Sequence, residues 1–288
     1  MMQMQIEHTK MKDLKVAIVT GSSSGIGYET ALILARNGFR TYASMRNLEK
    51  GKTISDIAAK EELELHTVKL DVTDERSVTD AIKTIKADAG RIDVLVNNAG
   101  YGLAGSLEDL SMSEIKAQYE TNVFGLIRVT QAVLPTMREQ KSGIIVNISS
   151  IGGKVAIPLQ SPYHSTKFAV EGLSESIAYD LEPFGIKVVI IEPGAIKTNF
   201  ETGMVVAKNT QNPNSPYYNA MQKLQSSINS HFKNGTTPSK VAEVILNAIT
   251  TPNPNLRYTV GEDAAMIAQK RKDLPDLEFQ KLVLEFFK

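Results

Sequence analysis

Short apolar runs that alternate with helical patterns constrain the fold of this chain more than any other feature. Seven runs predict strands, at Lys15–Thr20, Arg40–Ser44, Glu64–Leu70, Ile92–Val96, Gly143–Ile148, Lys187–Ile191 and Leu256–Val260. The segments between them predict helices, near Ile26–Asn37, Leu48–Lys60, Asp74–Ala89, Ser113–Glu139, Pro162–Glu182 and Ser239–Thr250. Strands without polar alternation are buried on both faces, as in a parallel sheet covered by helices. The pattern therefore predicts an α/β fold, a doubly wound (Rossmann) seven-stranded parallel sheet flanked by helices in a single domain.

The same pattern predicts how the chain is divided. Residues 1–12 read as an N-terminal extension, and residues 13–288 read as one Rossmann-fold catalytic domain. Within it, residues 194–238 are rich in Asn, Ser, Pro and Gly, and an insertion of that length is a substrate loop or lid, or else disordered. Residues 263–288 predict a partly apolar helical segment that closes a pocket or packs against a partner subunit.

Composition excludes several classes of function. Lys+Arg and Asp+Glu both number 32 in 288 residues, so nothing indicates a nucleic-acid partner or an anionic membrane surface. The chain has no Cys and only four His, which argues against a metal site. No run approaches the roughly 18 apolar residues of a membrane span, and the N-terminus lacks the apolar core of a signal peptide. We therefore expect a cytoplasmic protein.

Tyr163 and Lys167 form the pattern with the clearest chemical meaning. A spacing of four places them on one face of a helix, which Ser161 can cap and Pro162 can begin. An ammonium beside a phenol favours the phenolate, so Lys167 is expected to lower the pKa of Tyr163 from near 10 towards 7. Ser150 ends the preceding apolar strand. Taken alone, Tyr-x-x-x-Lys is common and is usually a pair on a solvated helix face, so the rest of the chain must decide.

A glycine-rich turn follows the first predicted strand and opens the first predicted helix. Glycines there permit a tight turn and let backbone amides approach a pyrophosphate at the helix N-terminus. The spacing is Gly-x-x-x-Gly-x-Gly and departs from the usual Gly-x-Gly-x-x-Gly. Its candidate cofactor-binding residues are Gly21, Ser23, Ser24, Gly25, Ile26 and Gly27.

The glycine turn has two competing interpretations. Residues 21–25 also match the Gly-x-Ser-x-Gly elbow of serine hydrolases, with His66, His164 and His231 downstream. That interpretation is disfavoured because no flanking strands precede the turn and Gly27 gains no role. The other alternative is a structural turn that binds no ligand.

Arg46 predicts which dinucleotide the chain binds. An acidic residue about 20 positions after the glycine turn would bind the ribose of NAD, whereas an arginine accommodates the 2′-phosphate of NADP. The second strand offers no carboxylate there but supplies the guanidinium of Arg46. NADP is therefore favoured over NAD, and the alternative is that Arg46 is only a solvated loop residue.

Together these motifs closely resemble the short-chain dehydrogenase/reductase family, from about Lys15 to Val260. Beside the glycine turn, Asn97–Gly100 is similar to the family's fourth-strand motif and Leu70–Val72 to its adenine-contacting strand end. The segment from Pro193 to Thr198 resembles its nicotinamide-binding turn. In finer detail the chain resembles the branch that contains hydroxysteroid- and retinol-dehydrogenase-like enzymes.

The resemblance implies a role for each matching residue. The implied catalytic set is Asn122, Ser150, Tyr163 and Lys167. Tyr163 would be the general acid/base, Ser150 would hydrogen-bond the substrate oxygen, and Lys167 would hold the nicotinamide ribose. Asn122 would position a water, or would instead bend its helix. The implied cofactor contacts are Asp71, Val72, Asn98, Ala99, Gly100, Tyr163, Lys167, Pro193, Gly194, Ile196 and Thr198. Asp71 also fits as a helix cap, Asn98 as a sheet-stabilising residue, and Thr198 as a loop hydroxyl.

The sequence thus predicts an NADP-dependent oxidoreductase that moves hydride between nicotinamide and a carbonyl or secondary alcohol. The substrate is expected to be hydrophobic, such as a steroid or retinoid, in a pocket lined by Leu103, Ala104, Ile151, Ala156, Leu159, Pro193 and Phe200. Those positions would equally suit core. We expect a homodimer or homotetramer. Two other functions stay open: a dinucleotide-sensing regulatory protein, and a sugar-nucleotide epimerase or dehydratase, which would need a larger C-terminal substrate domain.

Overall fold

The seven predicted strands form one parallel sheet in the computed structural model, which describes residues 14–198 and 204–285. The strands of this sheet are β1 (Val16–Val19), β2 (Arg40–Met45), β3 (Leu65–Lys69), β4 (Val94–Asn97), β6 (Gly143–Ile148), β7 (Ile186–Pro193) and β9 (Arg257–Val260). Their spatial order is β3-β2-β1-β4-β6-β7-β9, and every pairing is parallel. The order reverses between β1 and β4, which makes this a doubly wound sheet and confirms the predicted fold class.

Helices cover both faces of the sheet. In chain order they are α1 (Gly25–Arg36), α2 (Lys52–Lys60), α3 (Glu75–Ala89), α4 (Met112–Tyr119), α5 (Leu126–Gln140), α6 (Ser161–Leu181), α7 (Tyr218–Lys233), α8 (Pro238–Thr250), α9 (Glu262–Asp273) and α10 (Asp276–Glu285). Side chains at alternate strand positions point to opposite faces of the sheet and pack in two separate apolar cores. Val16 and Ile18 of β1 join the core under α3 and α5, while Ala17 and Val19 join the core under α1, α2 and α8.

The long helix predicted over Ser113–Glu139 is interrupted. A π-helical turn over Glu120–Gly125 separates α4 from α5. The turn contains Asn122 and places Gly125 against Val72, where a Cβ on Gly125 would come within 2.7 Å of a Val72 methyl. Such turns mark places where a helix departs from regular hydrogen bonding, frequently beside functional sites.

Residues 194–238 contain more regular structure than their composition predicts. Strand β8 (Val205–Val206) pairs with β5 (Leu103–Ala104) in a separate two-stranded parallel sheet, and α7 supplies four helical turns. We refer to residues 204–228 as the roof segment. The predicted helical C-terminal segment is present as α9 and α10, whereas the predicted extension at residues 1–12 lies outside the described residues.

The described part of the chain contains neither a helix that could span a membrane nor a cluster of metal-ligating side chains. None of these helices combines the length and the apolar character needed to cross a bilayer. Within residues 14–198 and 204–285, no three His, Asp or Glu side chains are placed to hold one metal ion.

Candidate active site and dinucleotide cleft

The glycine turn lies at the carboxyl end of β1, beside the point where the strand order reverses. Gly21 has φ of 68° and Gly25 has φ of 62°, a left-handed conformation that glycine adopts without strain. Ser24 precedes α1 as its N-cap, but its side chain accepts no hydrogen bond from the helix. The first backbone N–H groups of α1 are therefore not satisfied by this cap, as an anion-binding helix terminus requires.

Asn98, at the end of β4, fixes the shape of the glycine turn. Its Nδ2 donates to the carbonyl oxygens of Thr20 and Gly21, at 2.9 and 3.1 Å, and its backbone N–H donates to the Thr20 hydroxyl. The backbone N–H of Ala99 donates to the same hydroxyl. A Cβ on Gly27 would lie 2.4 Å from the Asn98 Nδ2, so only glycine fits there. The structural role predicted as an alternative for Asn98 is thus present.

The two halves of the predicted cofactor site meet at Thr198. A Cβ on Gly25 would lie 3.3 Å from the Thr198 methyl group, so the turn after β7 touches the turn after β1. Ile196 is buried and bridges to Thr236. The structure thereby brings Gly25, Ile196 and Thr198 together at the carboxyl edge of the sheet, where doubly wound folds bind dinucleotides.

A carboxylate that the sequence did not single out holds the turn at Gly194. Asp263, in the first turn of α9, accepts a hydrogen bond from the backbone N–H of Ala195 at 2.7 Å. A Cβ on Gly194 would lie 2.4 Å from both carboxylate oxygens. Pro193, the last residue of β7, is buried. The contact joins positions 68 residues apart, and no local sequence pattern indicates it.

Arg46, Asp71 and Val72 lie at the same edge of the sheet. Arg46 is exposed directly after β2. Burial raises the pKa of the Tyr101 phenol, and the positive charge of Arg46 acts in the opposite direction. The Oδ1 of Asp71 accepts from the Thr73 backbone and hydroxyl. The alternative of Asp71 as a helix cap is wrong, because Asp74 caps α3.

Ser150, Tyr163 and Lys167 converge as predicted. Tyr163 and Lys167 lie on the first turns of α6, both buried, and the Lys167 Nζ is 5.9 Å from the centre of the Tyr163 ring. The Tyr163 phenol hydrogen-bonds the Ser150 side chain. The Lys167 ammonium donates to the carbonyl of Ile148 at 2.9 Å. Pro162 lies in the first turn of the helix as expected, but the helix begins at Ser161 and Gln160 is its N-cap.

The predicted lowering of the Tyr163 pKa does not occur in the protein chain alone. Burial is the largest influence and raises the pKa of this phenol, while the hydrogen bond with Ser150 partly lowers it. Burial likewise lowers the pKa of Lys167 to about 8, and the charge of Glu171 acts to raise it. Attraction between the phenolate and the ammonium would lower the Tyr163 pKa, but the desolvation of both groups has the larger effect.

Asn122 ties the catalytic helix to the loop after β4. From the π-helical turn its Oδ1 accepts from the Tyr101 backbone N–H, and its Nδ2 donates to the Tyr101 carbonyl and to the Thr166 hydroxyl. The side chain is buried, and a Cβ on Gly100 would lie 3.2 Å from its Oδ1. Asn122 therefore sits in the interrupted part of the helix, as its second predicted role requires, and fixes α6 through Thr166.

His164 has a structural role that the sequence did not indicate. Its Nδ1 lies 2.9 Å from the Gly152 carbonyl, and its Nε2 accepts from the Ile157 backbone N–H at 3.1 Å. Both ring nitrogens are thus engaged by the loop after Ser150. His66 lies on β3 at the edge of the sheet, and the side chain of His231 lies outside the described part of the chain. His164 is consequently unavailable as the base of the hydrolase alternative.

The predicted pocket residues fall into different surroundings. Ala104 and Leu159 pack with roof-segment side chains, in a cluster that includes Ile157, Met204, Val206, Met221, Leu224 and Ile228. Leu103 is instead a core residue of a neighbouring cluster with Leu110 and Ala207, and Ala156 is exposed. Phe200 lies outside the described residues. A cleft of about 490 Å³ opens beside this cluster, lined by Gly105, Ser106, Leu107, Glu108, Leu159, Ser161 and Tyr217.

Comparisons with characterised sequences agree with this arrangement. The profile of the family described as short chain dehydrogenase matches residues 15–209. The chain is 36% identical over 274 residues to the 3-ketodihydrosphingosine reductase of Bacteroides thetaiotaomicron, covering 95% of this chain and 98% of the relative. It is 37% identical to retinol dehydrogenase 8 of Bos taurus, with 84% and 80% covered. It is 35% identical to 17-beta-hydroxysteroid dehydrogenase type 1 of Homo sapiens, with 90% and 81% covered.

Solved structures share the same architecture. A short-chain dehydrogenase from Streptomyces avermitilis superposes with a TM-score of 0.81 at 35% identity, covering 93% of this chain and 96% of that one. An alcohol dehydrogenase from Thermococcus sibiricus, complexed with 5-hydroxy-NADP, gives 0.72 at 26% identity, with 86% and 97% covered. The chain is an oxidoreductase of the short-chain dehydrogenase/reductase family, in the branch of the hydroxysteroid- and retinol-dehydrogenase-like enzymes.

Proposed function

We propose that this protein is an NADP-dependent reductase of a hydrophobic carbonyl compound, or a dehydrogenase of the matching secondary alcohol. The observation that carries the proposal is the buried contact between the Tyr163 phenol and the Ser150 side chain, with the Lys167 ammonium 5.9 Å from the phenol ring. A bound nicotinamide would supply or accept the hydride; the chain must then orient the substrate and move one proton.

Each catalytic side chain has a distinct proposed role. Tyr163 gives its phenolic proton to the substrate oxygen during reduction and takes it back during oxidation. Because burial raises the pKa of this phenol, Tyr163 holds its proton at neutral pH and suits donation. Ser150 donates a hydrogen bond to the same oxygen, and Lys167 binds the ribose and stabilises the phenolate that remains. Asn122, whose amide groups bond to Tyr101 and Thr166, holds the helix that carries them.

The glycine turn fits a dinucleotide. The turn contains two glycines in the left-handed conformation, and no side chain fits at Gly27. The first turn of α1 has no side-chain cap. A pyrophosphate can therefore approach the backbone there. We propose that Thr198 binds the carboxamide. Ile196, Gly194 and Pro193 shape the same nicotinamide-binding turn. Asp71 and Val72 would then contact the adenine.

Arg46 supports NADP as the preferred dinucleotide, because an exposed guanidinium suits a phosphate. We expect Arg46→Asp to lower the preference for NADP over NAD by roughly tenfold or more, the contribution of one charge-assisted hydrogen bond. Dissociation constants for both dinucleotides measure it. Arg76→Asp, at an exposed arginine of α3, is the matched control for the change in charge. Unchanged selectivity in Arg46→Asp would refute the assignment.

The substrate is proposed to be a lipid-like ketone or alcohol. The cleft beside Leu159 and Ser161 lies next to the first turn of α6, and the neighbouring cluster of Ala104, Met221 and Leu224 is apolar. Three relatives are named for 3-ketodihydrosphingosine, retinol and a hydroxysteroid. Compounds of these three kinds share a large apolar body with one oxidisable oxygen, which suits an apolar lining.

Oxidation of NADPH in the presence of sphingoid, steroid, retinoid and simple aliphatic carbonyl compounds tests the proposal. We expect the large apolar ketones to give the highest kcat/KM. Tyr163→Phe should keep dinucleotide binding and lose two or more orders of magnitude in kcat, about the contribution of a general acid. Tyr179→Phe, at an exposed tyrosine of the same helix, is the control. Near-normal turnover in Tyr163→Phe would refute the assigned acid, and tight NADP binding without any turnover would favour the sensing alternative.

We also propose that the enzyme acts as a homodimer or homotetramer in the cytoplasm. Two neighbouring helical segments expose aromatic side chains. Phe124 lies in the π-helical turn and contacts Tyr119 at the end of α4, and Phe168 lies on α6. The Tyr119 hydroxyl donates to the Ser165 hydroxyl on α6, which joins the two helices into one surface. An exposed apolar surface of this kind suits contact with a second copy. The molar mass by light scattering tests it, and a monomer at micromolar concentration would refute it.

A further inference from the structure

A cluster of charged side chains lies behind the catalytic helix and takes no direct part in the proposed reaction. Glu171 of α6 and Glu192 of β7 are almost fully buried, with side chains 7% and 4% exposed. Lys154 contacts the Glu171 and Glu192 carboxylates at 3.2 and 3.4 Å. Arg257 of β9 contacts Glu171 at 3.0 Å, Glu192 at 3.5 Å and the exposed Glu175 at 2.5 Å. Buried carboxylates persist only where cations accompany them.

The cluster begins one helical turn from the catalytic lysine. Glu171 follows Lys167 by four residues on α6, so their side chains are neighbours on one face. Gly153 packs against this turn, since its Cβ would lie 3.0 Å from the Glu171 Cγ and 3.0 Å from the Lys167 carbonyl oxygen. Both cations contact the Oε2 of Glu171, while its Oε1 has no hydrogen-bond partner among the described residues.

The Glu171 oxygen that is unpaired among the described residues leaves this carboxylate able to act on Lys167. The two buried carboxylates, those of Glu171 and Glu192, are accompanied by two cations, but both cations reach Glu171 through its Oε2. A buried ammonium loses much of its hydration and therefore needs an opposite charge close by to remain protonated.

We propose that Glu171 is a positioning residue that keeps Lys167 protonated at the pH of catalysis, and that Lys154 and Arg257 moderate its charge. The inference rests on the role of Lys167 in the proposed function, but its central claim concerns only the charge of that ammonium. Burial lowers the pKa of Lys167 to about 8 and Glu171 raises it, so the lysine lies near its point of deprotonation. Without Glu171 it would deprotonate at a lower pH.

Three other polar groups lie on elements near Lys167, namely α6, β6 and α9. On α6 the Tyr163 ring is 5.9 Å from the ammonium and carries no charge while its pKa is raised. From β6, the Ile148 carbonyl accepts a hydrogen bond from the ammonium. From α9, Asp263 is engaged by the backbone of Ala195. Glu171 is the anion that lies on the same helix face as the lysine.

Titration of Lys167 by NMR, in protein with 13C- and 15N-labelled lysine, tests the inference without any turnover. The Lys167→Arg spectrum assigns the resonance. We expect Glu171→Gln to lower the midpoint by about one pH unit, since an isosteric amide removes one nearby charge. Glu175→Gln also removes a partner of Arg257, but it lies two turns away from Lys167 and is exposed, so it is the matched control. An unchanged midpoint in Glu171→Gln would overturn the inference.

A second variant covers the case in which Glu171→Gln does not fold. Lys154 is one-third exposed, and Lys154→Gln removes a cation from the cluster, so it should raise the Lys167 midpoint. A lowered or unchanged midpoint there would contradict the inference. In steady-state kinetics, Glu171→Gln should match the wild type at pH 6 and lose activity at pH 8, with the dinucleotide dissociation constant changing over the same range. If the midpoints move as expected while Tyr163→Phe stays active, the charge inference stands and the proposed function fails.

Discussion

The dinucleotide cleft and the roof segment are built by different kinds of interaction. In the cleft the backbone leaves no room, because a Cβ on Gly27 would lie 2.4 Å from the Asn98 Nδ2 and 2.6 Å from the Gly21 carbonyl. The roof segment packs on the rest of the protein through an apolar cluster around Met221 and Leu224. At the surface, Ser215 donates a hydrogen bond to Asp109 and Tyr217 donates one to Glu108.

This difference indicates how each region tolerates change. A site built from backbone contact accepts almost no alteration, since the fold must shift to admit one added methyl group. A roof held by apolar side chains keeps its position through many exchanges of similar volume and can adapt to different substrates. The constrained region is the one proposed to bind the dinucleotide, and the adaptable region is the one beside the proposed substrate cleft.

Two buried leucines give the largest expected contrast in stability. Leu34 of α1 is fully buried in the main core, and Leu224 of α7 is 1% exposed within the roof cluster. Leu34→Ala should lower the free energy of unfolding by about 2–5 kcal/mol. Leu224→Ala should lower the free energy of global unfolding by less than Leu34→Ala does. It should instead accelerate hydrogen exchange in the roof segment, because that segment opens locally. Denaturant unfolding and hydrogen exchange measure both; equal global losses would show that the roof unfolds only with the core.

Gly27→Ala should break the cleft itself. The added methyl group must displace the Asn98 amide or the Gly21 carbonyl, a strain of about 1–3 kcal/mol. We expect a lower melting temperature and weaker NADP binding, measured by thermal shift with and without the dinucleotide. Gly172→Ala is the matched control, because no atom lies within 4 Å of its Cβ position on α6 and alanine is the better helix former. Unaltered NADP affinity in Gly27→Ala would contradict the steric argument.

The sequence predicts the constrained region well and the adaptable region poorly. Strands buried on both faces and glycines with left-handed φ leave local signals, so the sheet and the turn at Gly21 and Gly25 are confirmed. Helix α7 was missed because the Asn-, Ser- and Pro-rich composition before it indicates a loop. The Asp263 contact and the raised pKa of Tyr163 depend on tertiary burial, which no spacing along the chain reveals.

The smallest expected effect is a pH dependence of stability that arises at His164, where the two regions meet. His164 joins the Gly152 carbonyl, behind Ser150, to the backbone N–H of Ile157, whose side chain packs on the roof cluster. Burial lowers the pKa of this imidazole, and the bond to Gly152 only partly opposes that. The folded protein therefore keeps His164 neutral with Nε2 as acceptor.

Stability should consequently fall as the pH drops below about 6.5, where the unfolded chain takes up a proton that the folded one resists. The stabilisation that neutral His164 provides is fully present above pH about 6.5. It is lost as the pH falls through the lowered pKa of His164 in the folded protein. We expect the melting temperature of the wild type to fall by a few degrees more between pH 7.5 and 5.5 than that of His164→Gln, which cannot titrate. Exchange should increase first at Ile157 and the roof segment, while the glycine turn stays protected. Parallel pH dependence in the two proteins would assign the acid sensitivity to other groups, and early exchange at the glycine turn would contradict the contrast between the two regions.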